Sequence, residues 1–226
     1  MFDILATLTT IFENLGVLTV TVYGFWLYHF SQNVKVTSFG RTCSLFFGNS
    51  LNCSIYNKTM SPKTICNISV VFDNKYLMII KTYEEPILLE PFHAYNIIGD
   101  KYSRSENIPQ YSDIYFRLKT PEKTIFVPYK GKIINKTGLE VIEKSSYAYN
   151  DIVISDMVKY VLMYRYKGCN KADTIYITKD GMMNRNFKGC NVLPKDIVED
   201  ENKFKDFWEK QFADQDVSFI IDKIKY

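Results

Sequence analysis

The chain has 226 residues, of which 46% are hydrophobic and 23% charged, and its formal net charge is +3. This composition is in the ordinary range of globular proteins, so we expect a folded chain and not an intrinsically disordered one. Positive and negative side chains are mixed without a polybasic block, so charge alone indicates neither a nucleic-acid partner nor its absence.

The most apolar part of the chain is the stretch FENLGVLTVTVYGFWLYHFSQ at 12–32. No charged side chain occurs from Leu15 to Phe30, and a helix of that length would be about 24 Å long, against about 30 Å for the hydrocarbon core of a bilayer. The segment predicts a single transmembrane helix within an N-terminal membrane anchor at 1–32, provided that the helix extends beyond this run.

Two spans compete for the predicted membrane helix: 15–32, with Glu13 at the water boundary, and about 4–28, with Glu13 inside the bilayer. We predict the first span, because aromatic side chains near its end suit the headgroup region. In the second, Glu13 and Asn14 would contact another helix, since polar groups at membrane depth need partners. The residues predicted to serve membrane insertion or assembly are Glu13, Asn14, Gly16, Gly24, Trp26 and Tyr28.

Two other interpretations of this segment are less favoured. A cleaved signal peptide is disfavoured because Asp3 and Glu13 precede the apolar run without any lysine or arginine. A core helix of a soluble domain remains an alternative, because the run is short for a membrane span. Lys35 and Arg41 follow the helix and no basic residue precedes it, which predicts a single-pass protein of the cell membrane with its C-terminal part in the cytoplasm.

From Thr42 onward the pattern changes to short runs of β type separated by turn residues, as is typical of a sandwich or barrel. The predicted fold class is therefore mainly β with α. The predicted strands are 43–47, 51–57, 66–72, 76–82, 87–90, 94–98, 113–118 and 124–128.

Two segments of this region are SLNCSIYNKTMSPKTICNISVVFDNKYLMI and, after it, ILLEPFHAYNI. Together they resemble the immunoglobulin-like sandwiches of bacterial proteins. In this chain and in those sandwiches, an N-x-S/T turn separates two alternating strands and a proline-containing corner leads into a later strand. The resemblance covers about 40–130 and implies an Ig-like β-sandwich at 40–137. The layout of one hydrophobic helix and then such a domain is similar to that of small single-pass bacterial proteins, some of which belong to phage-defence systems.

The remainder of the chain, 138–226, predicts a smaller α+β section. Its strand candidate at 157–167 is MVKYVLMYRYK, and TIYITKDGMMNRNF at 174–187 predicts a hairpin with Asp180 and Gly181 in a two-residue turn. Aromatic residues at helical spacing predict a helix at 202–214. The final strand candidate is VSFIIDKI.

One strand of this section carries a candidate binding surface. Alternating tyrosines beside basic side chains suit the stacking and backbone contacts that bind single-stranded nucleic acid, or they suit a protein partner. The residues of this predicted surface are Tyr160, Tyr164, Arg165, Tyr166 and Lys167.

Catalytic and metal motifs are absent from the sequence, so we expect no enzymatic activity, no metal and no cofactor. His93 is the one histidine outside the apolar segment, and we expect it to be a turn or strand residue. The acidic groups of NDIVISD and DIVEDE lack the regular spacing of an EF-hand, and the second suits the beginning of a helix. The five cysteines form no C-x-x-C pair, which favours reduced and mostly buried thiols.

Taken together, these features predict a membrane-anchored binding or structural module. Its expected partners are the lipid bilayer and either another protein or further copies of itself, in a setting such as bacterial antiviral defence. The alternative is a membrane-tethered sensor of single-stranded nucleic acid or nucleotide.

Overall fold

The computed structural model describes residues 15–25, 34–106 and 113–226. The predicted fold class is confirmed at the coarse level, because the described chain is mainly β and forms several separate sheets. The helices are α1 (15–25), α2 (Lys195–Glu199) and α3 (Glu201–Phe212). The strands in chain order are β1 (Val34–Thr42), β2 (Ser50–Asn57), β3 (Lys63–Phe72), β4 (Tyr76–Leu89), β5 (Ala94–Ile98), β6 (Arg104–Ser105), β7 (Ile114–Lys119), β8 (Thr124–Lys130), β9 (Glu140–Val141), β10 (Lys144–Ser145), β11 (Tyr147–Tyr149), β12 (Ile152–Ile154), β13 (Val158–Tyr166), β14 (Asp173–Thr178), β15 (Met182–Phe187), β16 (Cys190–Val192) and β17 (Val217–Lys223).

The described residues after α1 divide into two compact units that are both discontinuous in sequence. The first contains 34–40, 52–99 and 113–141, and the second contains 41–51, 100–106 and 142–226. The segments 41–51 and 100–106 therefore belong with the C-terminal section, although the sequence places them in the region of the predicted sandwich.

Two sheets build the first unit: a five-stranded sheet in the order β8-β7-β3-β4-β9 and a three-stranded sheet in the order β1-β2-β5. Phe39 of β1 contacts Phe72 and Phe116, with ring centroids 6.1 and 5.4 Å apart. On the opposite face of the larger sheet, Val71 packs with Tyr115. Because the central strand β3 is covered on both faces, its residues 68–72 are all buried, as is usual for interior strands.

The predicted turn between β3 and β4 is confirmed by its backbone. Asp73 and Asn74 have φ angles of 49° and 56°, a conformation that asparagine and aspartate tolerate better than other residues with side chains. The Asn74 side chain also accepts hydrogen bonds from the backbone N–H groups of Ile134 and Asn135, at 2.7 and 3.2 Å. The same side chain therefore holds the chain segment that follows β8.

The second unit has a five-stranded sheet in the order β16-β15-β14-β13-β17, with α3 packed on one face. The predicted helix at 202–214 is confirmed as α3, and Asp200 caps its beginning by accepting hydrogen bonds from the N–H groups of Asn202 and Lys203. Phe204, Trp208 and Phe212 are buried against the sheet. The aromatic side chains at helical spacing thus form the core of this unit.

Three predictions of local structure are wrong. The strands predicted separately at 76–82 and 87–90 form one continuous strand, β4. No strand forms at 43–47, because the Ser44 hydroxyl accepts hydrogen bonds from the N–H groups of Phe46 and Phe47 and so favours a turn over a ladder. The hairpin between β14 and β15 has a longer turn than predicted: Gly181 has a φ of 84°, whereas Asp180 does not have a positive φ. The Gly181 N–H donates to the Thr178 carbonyl at 3.0 Å.

The cysteines are all free, but the prediction that most of them are buried is wrong. Cys53 is buried, whereas Cys43, Cys169 and Cys190 are exposed. Burial raises the pKa of the Cys53 thiol to about 12, so this thiol stays protonated and unreactive at neutral pH.

Within the described ranges, no helix has both the length and the apolar character that a membrane crossing requires. The described part of the N-terminal segment is α1, at 15–25. Both predicted spans, 15–32 and 4–28, include residues outside the described ranges, so the predicted transmembrane helix is not shown.

Candidate binding surface

A groove with a volume of about 520 Å³ lies in the second unit, where β13 ends and β17 begins. The pairing of Tyr166 with Val217 brings these two strand ends together. Gly168, with a φ of 83°, allows the chain to turn away after β13. The polar side chains that line the groove are Arg165, Lys167, Cys169, Asn170, Asp216 and Ser218.

Of the charged side chains in this groove, Lys167 and Asp216 form an ion pair, whereas Arg165 has no partner among the described residues. Lys167 Nζ lies 3.0 Å from Asp216 Oδ2, but both side chains are 77% exposed, so solvent screens the pair and its contribution to stability is small. Arg165 is exposed, and in the part of the chain that the structure describes its guanidinium forms no hydrogen bond or ion pair. The groove therefore presents a cation that is free to bind a carboxylate or phosphate.

A smaller apolar hollow of about 220 Å³ adjoins this groove and shares Arg165 and Ser218 with it. Met163 and Ile220 supply its apolar wall, and they are register partners on β13 and β17. Both lie on the sheet face opposite α3, since the alternate residues Leu162 and Tyr164 pack on the helix side. An arginine beside an apolar hollow is a combination typical of protein-binding surfaces.

The structure separates the five residues of the predicted binding surface. Arg165, Tyr166 and Lys167 line the groove. Tyr160 is fully buried and stacks on Phe204 with a centroid distance of 4.0 Å, so its ring is not on the surface.

Tyr164 likewise belongs to the aromatic core beneath α3. Its ring lies 5.5 Å from that of Phe212 and 5.8 Å from that of Phe187. Burial raises the pKa of its hydroxyl. The groove therefore has one tyrosine of the predicted row, Tyr166, on its surface, which is a poor platform for successive bases.

Of the predicted membrane and assembly residues, Gly16 and Gly24 lie in α1, and a Cβ atom added at either would meet no heavy atom within 4 Å. Glu13, Asn14, Trp26 and Tyr28 lie outside the described residues. The large apolar side chains of α1 are exposed, at 55 to 73%: Leu15, Val17, Leu18, Val20, Val22, Tyr23 and Phe25.

Two threonine hydroxyls of α1 form hydrogen bonds within the helix itself. The hydroxyls of Thr19 and Thr21 donate to the carbonyls of Leu15 and Val17, each at 2.7 Å. Such bonds remove the need for water around these hydroxyls.

The described residues contain no group of three or more histidine, cysteine or acidic side chains arranged to hold a metal. His93 Nδ1 lies 2.8 Å from the Pro91 carbonyl in an exposed turn. In the DIVEDE segment, Asp200 caps α3 and Glu201 pairs with Lys223 at 2.6 Å. These acidic side chains therefore have structural roles.

Sequence reasoning missed one wall of the groove, which Asp216 and Ser218 form, and with it Ile220 in the adjoining hollow. They follow β13 by about fifty residues, and short-range patterns do not report which distant strands pair. The available signal was the apolar alternation of the final strand. Comparison of the chain with protein-family models, curated proteins and solved structures found no match.

Proposed function

We propose that this protein is a membrane-anchored binding module, in which the N-terminal segment enters the lipid bilayer and the second unit binds a protein partner or a further copy of the chain. The observation that carries the anchor is the exposure of every described side chain of α1. A helix that is apolar on all sides is stable only in an apolar environment, such as a protein core or a membrane.

The geometry of α1 supports lipid as that environment. Successive helix residues are about 100° apart, so the seven exposed apolar side chains between Leu15 and Phe25 point in all directions around the axis. A helix that docks on a partner needs an apolar stripe on one side only, whereas lipid surrounds a helix completely.

Support for the binding role comes from the groove of the second unit. There Arg165, whose guanidinium has no partner among the described residues, lies beside the apolar wall of Met163 and Ile220. We therefore propose a protein partner over nucleic acid, because Tyr160 and Tyr164 are engaged in the core. The similarity in layout to single-pass bacterial proteins supports placing this activity in a bacterial envelope or phage-defence system. Lys35 and Arg41, after the helix, support a cytoplasmic location for the domain.

The anchor is tested by adding charge to α1 in the full chain. We expect a Val17→Lys, Val20→Lys variant to move from the membrane fraction to the soluble fraction, because each lysine in a bilayer costs about 2.5 to 3.5 kcal/mol on insertion scales. The measurement is the share of protein that stays with membranes after an alkaline wash.

The matched control carries the same two additions at exposed apolar residues of the first unit, Ile98→Lys and Ile134→Lys. These side chains are 70% and 78% exposed, so the control changes net charge equally without changing α1. We expect it to stay with the membranes as the unmodified chain does. Equal membrane shares for the two variants would contradict the anchor.

A further inference from the structure

Strand β17 lies at one edge of the five-stranded sheet of the second unit. It pairs with β13 over its whole length, from Val217 opposite Tyr166 to Lys223 opposite Tyr160. On its other side, β17 has no neighbouring strand among the described residues. Its outer edge is therefore open to a further strand.

The hydrogen bonds of β17 establish which backbone groups point outward. Lys167 N–H donates to the Asp216 carbonyl at 2.8 Å, and Ile224 N–H donates to the Lys159 carbonyl at 2.9 Å. In an antiparallel pair, residues alternate between facing the partner strand and facing away. The even-numbered residues of β17 thus face β13, and Phe219, Ile221 and Lys223 direct their backbone groups outward.

One side chain of the kind that blocks pairing lies on this edge, Lys223 at the end of β17, and it is already paired with Glu201 at 2.6 Å. Natural edge strands usually carry lysine, proline or a bulge that blocks a further strand. Strand β8, at the edge of the first unit, has both Pro128 and Lys130. In β17 the run from Val217 to Ile221 contains no charge, proline or glycine, and Ile220 is 59% exposed.

We infer that β17 pairs antiparallel with β17 of a second copy of this chain, around a two-fold axis at Ile220. This register spans Val217 to Lys223 and opposes the outward groups of Phe219 to those of Ile221 in the second copy. At its end the Val217 N–H already donates to the Gln215 carbonyl at 2.8 Å, so the pairing is carried by Phe219 and Ile221. Ile220 meets Ile220 of the second copy, which removes two exposed apolar side chains from water.

The charges of the strand agree with this register. Lys223 lies opposite Val217 of the second copy, and Asp222 lies opposite Ser218, so no like charges face each other. A shift that places the axis at Asp222 would oppose two carboxylates, which is unfavourable. The two sheets together become one ten-stranded sheet, built from two five-stranded sheets, through an isologous contact.

This inference rests on the self-assembly part of the proposed function, and a cysteine at position 220 tests it in cells that express the full chain. The background is Cys43→Ser, Cys66→Ser, Cys169→Ser and Cys190→Ser, which keeps only the buried Cys53. At the axis, the Cα atoms of the two residues 220 are about 4.5 Å apart, within the range that a disulfide spans.

We expect Ile220→Cys to form a cross-linked dimer under mild oxidation as the main species. Two control positions measure chance collision and register. Ile98→Cys replaces an isoleucine that is 70% exposed in the first unit. Ser218→Cys places the two thiols about 13 Å apart along the paired strands, too far for a disulfide. Cross-linking at 220 that is no faster than at 98, or that is slower than at 218, overturns the inference.

A second variant keeps the test independent of disulfide chemistry. Ile220→Lys opposes two lysines across the axis and is expected to raise the dissociation constant of the dimer at least about tenfold. Ile98→Lys is the control, and sedimentation of the detergent-solubilised full chain is the measurement. A dimer fraction that Ile220→Lys leaves unchanged overturns the inference, and so does an unmodified chain that is monomeric. Membrane binding of the same variants tests the anchor separately.

Discussion

Replacing Trp208 by alanine is expected to lower the free energy of unfolding of the second unit by about 3 to 5 kcal/mol, the usual cost of removing a large buried aromatic side chain. Trp208 is fully buried. Its ring lies 5.1 Å from that of Phe187 and 5.8 Å from that of Phe212. Among the described residues, Trp208 is the largest side chain that is fully buried.

The matched variant is Trp208→Phe, which keeps a ring in the same place. The indole Nε1 of Trp208 is buried without a hydrogen-bond partner among the described residues, so phenylalanine removes an unpaired donor while it loses volume. We expect it to cost clearly less than alanine.

Amide hydrogen exchange of β13 and β14 in the full chain measures the second unit separately from the first. A loss of unfolding free energy for Trp208→Ala below about 0.5 kcal/mol, within the range of exposed positions, would show that the aromatic cluster does not hold α3 on the sheet.

Replacing Asn57 by alanine is expected to destabilise the first unit by about 2 to 4 kcal/mol, because buried polar groups lose their partners. The Asn57 side chain is fully buried. Its Nδ2 donates to the carbonyls of Leu89 and Ser61, at 2.8 and 3.1 Å. Its Oδ1 accepts from the N–H and hydroxyl groups of Thr59, at 3.0 and 2.7 Å.

Two further variants identify these hydrogen bonds as the cause. Asn57→Asp keeps the shape but directs a carboxylate at two carbonyls. The free energy of unfolding that this variant loses should be partly recovered as the pH falls and the carboxyl group becomes protonated. The reason is that a carboxyl group whose pKa is raised in the folded state adds stability only at low pH. Asn67→Ala removes a half-buried amide that donates to the Thr82 hydroxyl at 2.7 Å and accepts from the Ser69 hydroxyl at 2.6 Å. It breaks two hydrogen bonds where Asn57→Ala breaks four, so it should cost less than Asn57→Ala.

Hydrogen exchange of β2 and β4 measures this unit. Equal losses for Asn57→Ala and Asn67→Ala would contradict the role of the buried amide.

The sequence predicted the elements whose signals are local. Strand β5 and most of β2 and β3 follow from alternation and turn residues, and α3 follows from the spacing of Phe204, Trp208 and Phe212. A capping aspartate and an apolar stripe act over one or two helix turns, so a single stretch of sequence contains the information.

The wrong predictions have two causes. Local hydrogen bonds compete with strand formation, and elements far apart in the sequence pack together. At Ser44, a hydroxyl that bonds to the following N–H groups favours a turn where apolar alternation indicated a strand. Tyr160 and Tyr166 lie on the same strand face, yet α3 covers the first ring and leaves the second exposed. Which end of a strand a helix covers depends on the tertiary fold, and so does the groove between β13 and β17.

The central claim is that α1 lies in lipid, and the most direct test is the reactivity of a thiol placed on it. Val20, which is 73% exposed, is replaced by cysteine in the full chain, and a water-soluble maleimide is applied to opened membrane vesicles. Site-resolved mass spectrometry compares position 20 with the exposed Cys169. We predict alkylation at position 20 that is at least about tenfold slower, because the reactive thiolate does not form in hydrocarbon. Alkylation at the same rate as Cys169 would contradict the claim.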